Sequence, residues 1–191
     1  MRGLFAFTET IHTFPTVNKR IVILGTSGSG KTTLARKLAA LHGIKHIELD
    51  VLYWKPGWTQ TPMPEFLSKI EQAISENDNW VICGNYNVAK KLTLPKATDI
   101  IWLNTPLYLN LWRVFSRSVV RIIKKEDPFE GCKETWTHLI FNKDSLLLWV
   151  WNTHGERQKN FKQLLTKENF PNAGIRIVES KRDYESLLST G

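Results

Sequence analysis

An α/β fold, with a five-stranded parallel sheet covered by helices on both faces, is the class this sequence predicts. Three observations predict it. Five short apolar runs are spread along the chain, several closed by Gly or Pro. Those runs are apolar nearly throughout, the pattern of strands buried on both faces. Segments with helical apolar spacing lie between them, and strand–helix alternation favours a parallel sheet. A chain of 191 residues fits one domain with a proper core.

The elements follow in order. RIVIL (20–24) is a β-branched run ending at Gly25 and predicts the first strand. Leu34, Ala35, Leu38 and Leu41 recur at helical spacing and predict a helix over 31–42. HIEL (46–49) predicts a second strand, and 62–76 a helix with Phe66, Ile70 and Ile74 on one face. WVIC (80–83), stopped by Gly84, and DIIWL (99–103), closed by Pro106, predict the third and fourth strands. A long helix over 107–124 is broken by EDPFEG (126–131). A second helical region runs over 135–168 with an interruption near 153–155, and its LLLWVW run (146–151) reads as core. IRIV (175–178) predicts the fifth strand and DYESLL (183–188) a last helix. In open parallel sheets ligands bind at the carboxyl ends of the strands. Those ends are residues 25–32, Asp50, 83–86 and 104–106.

Composition narrows the function class. Hydrophobic residues at 42% and charged residues at 23% are ordinary globular values, so a folded domain is the default reading. No apolar run reaches the roughly 18 residues that a membrane span needs. The net charge of +8 suits acidic ligands: nucleotides, phosphorylated acceptors or nucleic acid. Much of it lies in 113–125 and 157–167. The two cysteines form no CxxC pair and the five histidines show no ligand spacing, which points away from metal and disulfide frameworks. Residues 1–17 read as an extension before a domain of 18–191. LFAF is too short for a signal-peptide core, so the cytoplasm is the expected compartment.

Gly25-Thr26-Ser27-Gly28-Ser29-Gly30-Lys31-Thr32 matches G-x-x-x-x-G-K-[ST] in full, between a predicted strand and a predicted helix. Gly25, Gly28 and Gly30 allow the backbone to curl, and the curled amides and helix N-terminus then face an anion. Lys31 neutralises β- and γ-phosphate oxygens, and the Thr32 hydroxyl ligates Mg²⁺. With Thr33 in the first helical turn, residues 25–33 form the expected site for ATP or GTP.

Beyond the loop the chain resembles small P-loop kinases related to adenylate and shikimate kinases. It is most similar to the family called DNA topology modulation proteins. The resemblance spans about 19–188. It rests on the loop, ELDVLYWKPGW (48–58), WVICGNY (80–86), RVFSRSVVR (113–121), EGCKE (130–134) and LLLWVWN (146–152). It implies strand order 2-3-1-4-5, an acceptor region near 50–66 and a small helical lid near 122–134. It also implies an ATP-dependent kinase acting on a small-molecule acceptor of unknown identity.

Asp50, at the expected end of the second strand, would bind the acceptor hydroxyl or take its proton; the alternative is a turn cap. Arg113, Arg117 and Arg121 recur every fourth residue. Each step drifts only about 40°, so they share one helix face. Guanidinium forks suit phosphoryl oxygens. Resemblance places Arg117 and Arg121 over the transferring group; the alternative is a solvated basic stripe. Trp54 and Trp58, with Tyr53, Pro56 and Gly57, offer either a stacking wall or packing. Trp80, Trp102, Trp149 and Trp151 are assigned to packing. The 180–182 turn would border the nucleotide base.

The chain departs from the family at two strand ends. Cys83 stands where an acid is usual, and Asn104 replaces the acid of L-D-x-P. A protonated thiol cannot stand in for a carboxylate toward a hard cation. Asp50 is then the one obvious cleft carboxylate. Two further readings stand beside the kinase: a nucleotide-gated nucleic-acid-binding protein, from the net charge of +8 and the basic 157–167 zone, and a degenerate kinase that holds ATP without efficient turnover, from Cys83 and Asn104.

Overall fold

The computed structural model describes residues 19–141 and 145–189. The expected extension, 1–17, lies outside the described residues. The chain order is β1 (Arg20–Gly25), α1 (Lys31–His42), β2 (Lys45–Glu48), α2 (Leu49–Tyr53), β3 (Trp54–Lys55), β4 (Thr59–Gln60), α3 (Met63–Ser75) and β5 (Trp80–Cys83). Then come α4 (Asn87–Thr93), β6 (Asp99–Leu103), α5 (Leu107–Lys124), a π-helical turn (Thr137–Phe141), α6 (Leu146–Leu164), β7 (Gly174–Val178) and α7 (Lys181–Ser189).

Five strands form one parallel sheet in the order β2-β5-β1-β6-β7. Counted along the chain, that is 2-3-1-4-5, as expected. Central β1 explains the absence of alternation in its sequence: both of its faces are covered. Val22 and Leu24 pack into the cluster holding Phe66, Ile70, Trp80, Trp102 and Phe161, under α3 and α6. Ile21 and Ile23 pack on the opposite face with Leu34, Leu38 and Leu187, under α1 and α7. Among the described residues, no helix is long and apolar enough to cross a membrane.

Four expectations are corrected. The helical region of 135–168 is not interrupted at 153–155, because α6 runs through it. Val150, His154 and Phe161 form its buried stripe, and the Thr153 hydroxyl donates to the Trp149 carbonyl (2.7 Å). A glycine in such a helix costs about 1 kcal/mol, too little to break it. The 146–151 run is largely surface: Leu148, Trp149 and Trp151 are exposed, since only one stripe of α6 can reach the sheet. Leu41 is likewise exposed, at the end of α1. Finally, β2 stops at Glu48, which leaves Asp50 in the first turn of α2 rather than on the strand.

Candidate functional site

The phosphate loop is held from outside by α5. At Gly28 (φ +81°) a side chain would strike the backbone carbonyl of Asn110, so only glycine fits against that helix. Fully buried Asn110 donates from one amide nitrogen to Thr26 Oγ1 (2.7 Å) and the Thr105 carbonyl (3.1 Å). Arg113 reaches the Ser29 carbonyl (3.4 Å), and the Asn85 side chain donates to the Gly25 carbonyl. Gly30 takes a left-handed conformation and α1 starts at Lys31 with no side-chain cap. The first amides of α1 therefore have no side-chain partner at the cap, which makes the helix start a natural seat for phosphate. Ser27 lines the half-buried part of the loop, and Thr33 is exposed on the first helical turn.

Lys31 donates to the Thr26 carbonyl of its own loop (2.9 Å). Its ammonium lies deep in the cleft, although the residue as a whole is only half-buried. Burial pushes its pKa down to about 8, against the pull of the Asp50 carboxylate. The Arg157 and Arg117 cations push in the same direction as burial.

The Thr32 hydroxyl donates to Glu48 Oε1 (2.9 Å). The other Glu48 oxygen pairs with Arg36 (3.4 Å). Asp50 is therefore not the one cleft carboxylate: Glu48, at the end of β2, stands at the loop itself. Hydroxyl and carboxylate oxygens are the donor type that Mg²⁺ accepts. Beside them, the Cys83 thiol lies 3.9 Å from Thr32 Oγ1 and 3.4 Å from His46 Nε2. Burial pushes Cys83 up to about 12, and Glu48 adds to the shift, so it stays a neutral thiol. Asn104 is engaged elsewhere, donating to Glu179 (2.8 Å) and accepting from Gln158 (2.8 Å).

Asp50 accepts a hydrogen bond from the Tyr86 hydroxyl (2.7 Å). Burial and the neighbouring carboxylate raise the Tyr86 pKa far above its ordinary value, so the phenol keeps its proton. The Tyr86 ring packs on Tyr53 and Phe66, with centroids 4.6 and 5.0 Å away. Tyr53 meets Trp54 edge-on (5.0 Å), Trp54 meets Trp58 (5.4 Å), and Trp58 meets Phe129 (6.1 Å). These aromatics form one connected wall beside Asp50.

The three arginines of α5 share a face but have different partners. Arg113 supports the loop. Arg121 pairs with Glu134 (3.0 Å). Arg117 has no hydrogen-bond partner among the described residues. It is exposed to solvent; burial, then Arg121, lowers its pKa, and Glu134, Asp50 and Glu48 oppose the shift. Such a combination fits a cation on the wall of an open concavity. A fourth cation, Arg157 of α6, lies over the Trp149 ring (4.3 Å to its centroid) and feels the Asp50 carboxylate. Burial lowers its pKa and Asp50 opposes the shift.

Residues 126–134 are not helical; they carry an isolated bridge between Phe129 and Cys132. The segment is latched to the β3–β4 hairpin. The Gly57 amide donates to the Gly131 carbonyl (2.9 Å), Trp58 Nε1 to the Lys133 carbonyl (2.8 Å), and the buried Cys132 thiol to the Lys55 carbonyl (3.2 Å). The expected turn over 180–182 is already the start of α7: Asp183 caps the Glu179 and Ser180 amides, and Lys181 and Arg182 stand exposed on the first helical turn.

The structure thus gathers Lys31, Thr32, Asp50 and Arg117 around one cleft, while Arg121 faces Glu134. Sequence reasoning missed Glu48 and Asn110 as parts of it, gave Tyr86 only a place in the 83–86 strand end, and passed over Arg157. A signal existed for Glu48, an acid next to the end of the expected second strand (46–49). Tyr86 closes the GNY piece after a strand end. Arg157 was hidden in a basic run, and nothing in the sequence marks Asn110.

No protein-family profile and no curated protein sequence matches the chain. Solved structures similar to it include an unliganded sugar kinase from Janibacter sp., 18% identical over 90% of this chain and 91% of that chain (TM-score 0.49). A gluconokinase from Sinorhizobium meliloti is 14% identical over 91% and 89% (TM-score 0.49). A shikimate kinase from Acinetobacter baumannii, in complex with shikimate, is 16% identical over 92% and 93% (TM-score 0.49). Likeness at this level does not extend to activity.

Proposed function

We propose that residues 18–191 form a phosphotransferase domain that passes the γ-phosphoryl of ATP or GTP to the hydroxyl of a small acceptor. The observation that carries this reading is the shared electrostatics of the cleft. The Asp50 carboxylate, held by the Tyr86 hydroxyl (2.7 Å), opposes the burial that lowers the pKa of the phosphate-loop Lys31 and of the arginines Arg117 and Arg157. Glu48 already meets the loop hydroxyl, so Asp50, which bonds to Tyr86 and not to the loop, is left for an acceptor.

In this reading residues 25–33 cradle the phosphates through backbone amides and Lys31. A divalent cation held with Thr32 would supply charge neutralisation at the β- and γ-oxygens. The acceptor oxygen attacks the γ-phosphorus, the bond from that phosphorus to the β–γ bridging oxygen breaks, and ADP or GDP leaves. The acceptor proton passes to Asp50 Oδ2, because Tyr86 already occupies Oδ1. Arg117 faces the charge that builds on the transferring group. The aromatic wall of Tyr53, Trp54 and Trp58 flanks the acceptor.

Nucleotide binding without turnover is the competing reading, favoured by the neutral Cys83 thiol. A screen of hydroxyl acceptors separates the two, with ADP release as the readout. Acceptor-dependent release that Asp50→Asn abolishes supports transfer. Tight ATP binding with flat ADP release across sugars, nucleosides and hydroxy acids overturns it.

A further inference from the structure

We propose that Glu48 is the acidic partner of Thr32 in holding the divalent cation that accompanies the nucleotide, one strand away from the position where Cys83 stands. The inference rests on the nucleotide reading above and adds a residue to it.

Register supplies the first argument. β2 and β5 pair in parallel with Glu48 opposite Cys83, and β5 pairs with β1 with Cys83 opposite Ile23. Residues level with one another in a parallel sheet point to the same face. Glu48 and Cys83 therefore both face α1, and both reach the Thr32 hydroxyl, at 2.9 and 3.9 Å. The closer one is the carboxylate.

Chemistry supplies the second argument. Mg²⁺ takes oxygen ligands and keeps several waters, so a carboxylate near the Thr hydroxyl serves it and a thiol does not. Among the described residues, the Glu48 carboxylate bonds only to Thr32 and Arg36. It stands at the N-cap of α2 but makes no side-chain cap bond. Its ion pair with Arg36 joins it to a guanidinium whose side chain is 70% exposed, and such pairs contribute little stability. Arg36 takes Oε2 only, at 3.4 Å, while Oε1 meets Thr32 directly at 2.9 Å.

The test is calorimetric titration with a non-hydrolysable ATP analogue, once with Mg²⁺ and once with EDTA. The wild type binds more tightly with Mg²⁺. Glu48→Gln matches the wild type in EDTA and loses about tenfold to a hundredfold of affinity in Mg²⁺, the usual effect of removing a metal's supporting group. Adding Cys83→Asp to Glu48→Gln restores the Mg²⁺ gain, because the new carboxylate addresses the same hydroxyl. Arg36→Ala keeps the gain. An undiminished Mg²⁺ gain in Glu48→Gln overturns the assignment, and so does its loss in Arg36→Ala, which would place the effect in the ion pair. A wild type that binds the analogue under neither condition overturns the nucleotide reading and this inference with it. A Glu48-dependent Mg²⁺ gain without any transferable acceptor leaves the inference standing while the phosphotransferase reading falls.

Discussion

The Tyr86 hydroxyl lies 2.7 Å from Asp50 Oδ1 and donates to it. A phenol that keeps its proton across the working pH range is a fixed donor, so one carboxylate oxygen is anchored and the other is left for the acceptor. Tyr86→Phe removes the donor and keeps the ring against Tyr53 and Phe66. We expect kcat to fall by an amount equivalent to about 2 kcal/mol, the value of a hydrogen bond to a charged group. ATP affinity and melting temperature should hardly change. Steady-state kinetics with an acceptor found by ADP release checks this.

Lys31 gives the site a pH dependence of defined sign. Its folded-state pKa of about 8 is depressed, and bound phosphate favours the charged form. Below pH 8 the lysine is already protonated, and affinity for ATP is flat with respect to this group. Above pH 8 binding must take up a proton, so affinity falls toward tenfold per pH unit. Calorimetry in buffers of different ionisation enthalpy should register that uptake at pH 9 and not at pH 7. Lys31→Ala should bind ATP weakly at both and take up no proton.

Arg117 and Arg121 separate by experiment. Arg117→Ala should leave melting unchanged and lower kcat about a hundredfold, the cost of one contact to developing charge. Arg121→Ala strips the partner from Glu134, whose side chain is 10% exposed and whose second oxygen has no partner among the described residues. It should cost about 2 kcal/mol of stability. Glu134→Gln should offset part of that loss in a double-mutant cycle read by thermal melting.

Cys83→Asp places a second carboxylate next to Glu48 at the same hydroxyl. Without a cation the two negative charges repel, and the melting temperature should drop. Mg²⁺ with an ATP analogue should return most of it. A mutant equally destabilised with and without Mg²⁺-nucleotide would mean that Cys83 is a packing residue only.

Much of the fold was legible because its signals are local. The five strands are short apolar runs, and a central strand such as β1 has to be apolar on both faces to sit in a parallel sheet. The phosphate loop was legible because Gly28 is forced by a backbone contact and Lys31 and Thr32 by charge and ligation. The arrangement of the cleft was not legible. Whether Arg117 or Arg121 is free depends on Glu134, beyond the helix that carries them. Trp149 and Trp151 looked like core because hydrophobicity says nothing about which side of α6 meets the sheet. Glu48 escaped notice because the expected acid was sought on β5, and its proximity to Thr32 is made by the β2–β5 pairing.

The alignment of Ile23, Cys83 and Glu48 across three strands has a consequence for how such a cleft changes over time. Strand ends that stand level form a rack whose slots differ in sequence position but overlap in reach. A functional group can leave one slot and reappear in the next without any backbone rearrangement. A carboxylate at either position 48 or position 83 would reach the same Thr32 hydroxyl, so the acidity of this cleft is a property of the pair of strand ends and not of either position alone.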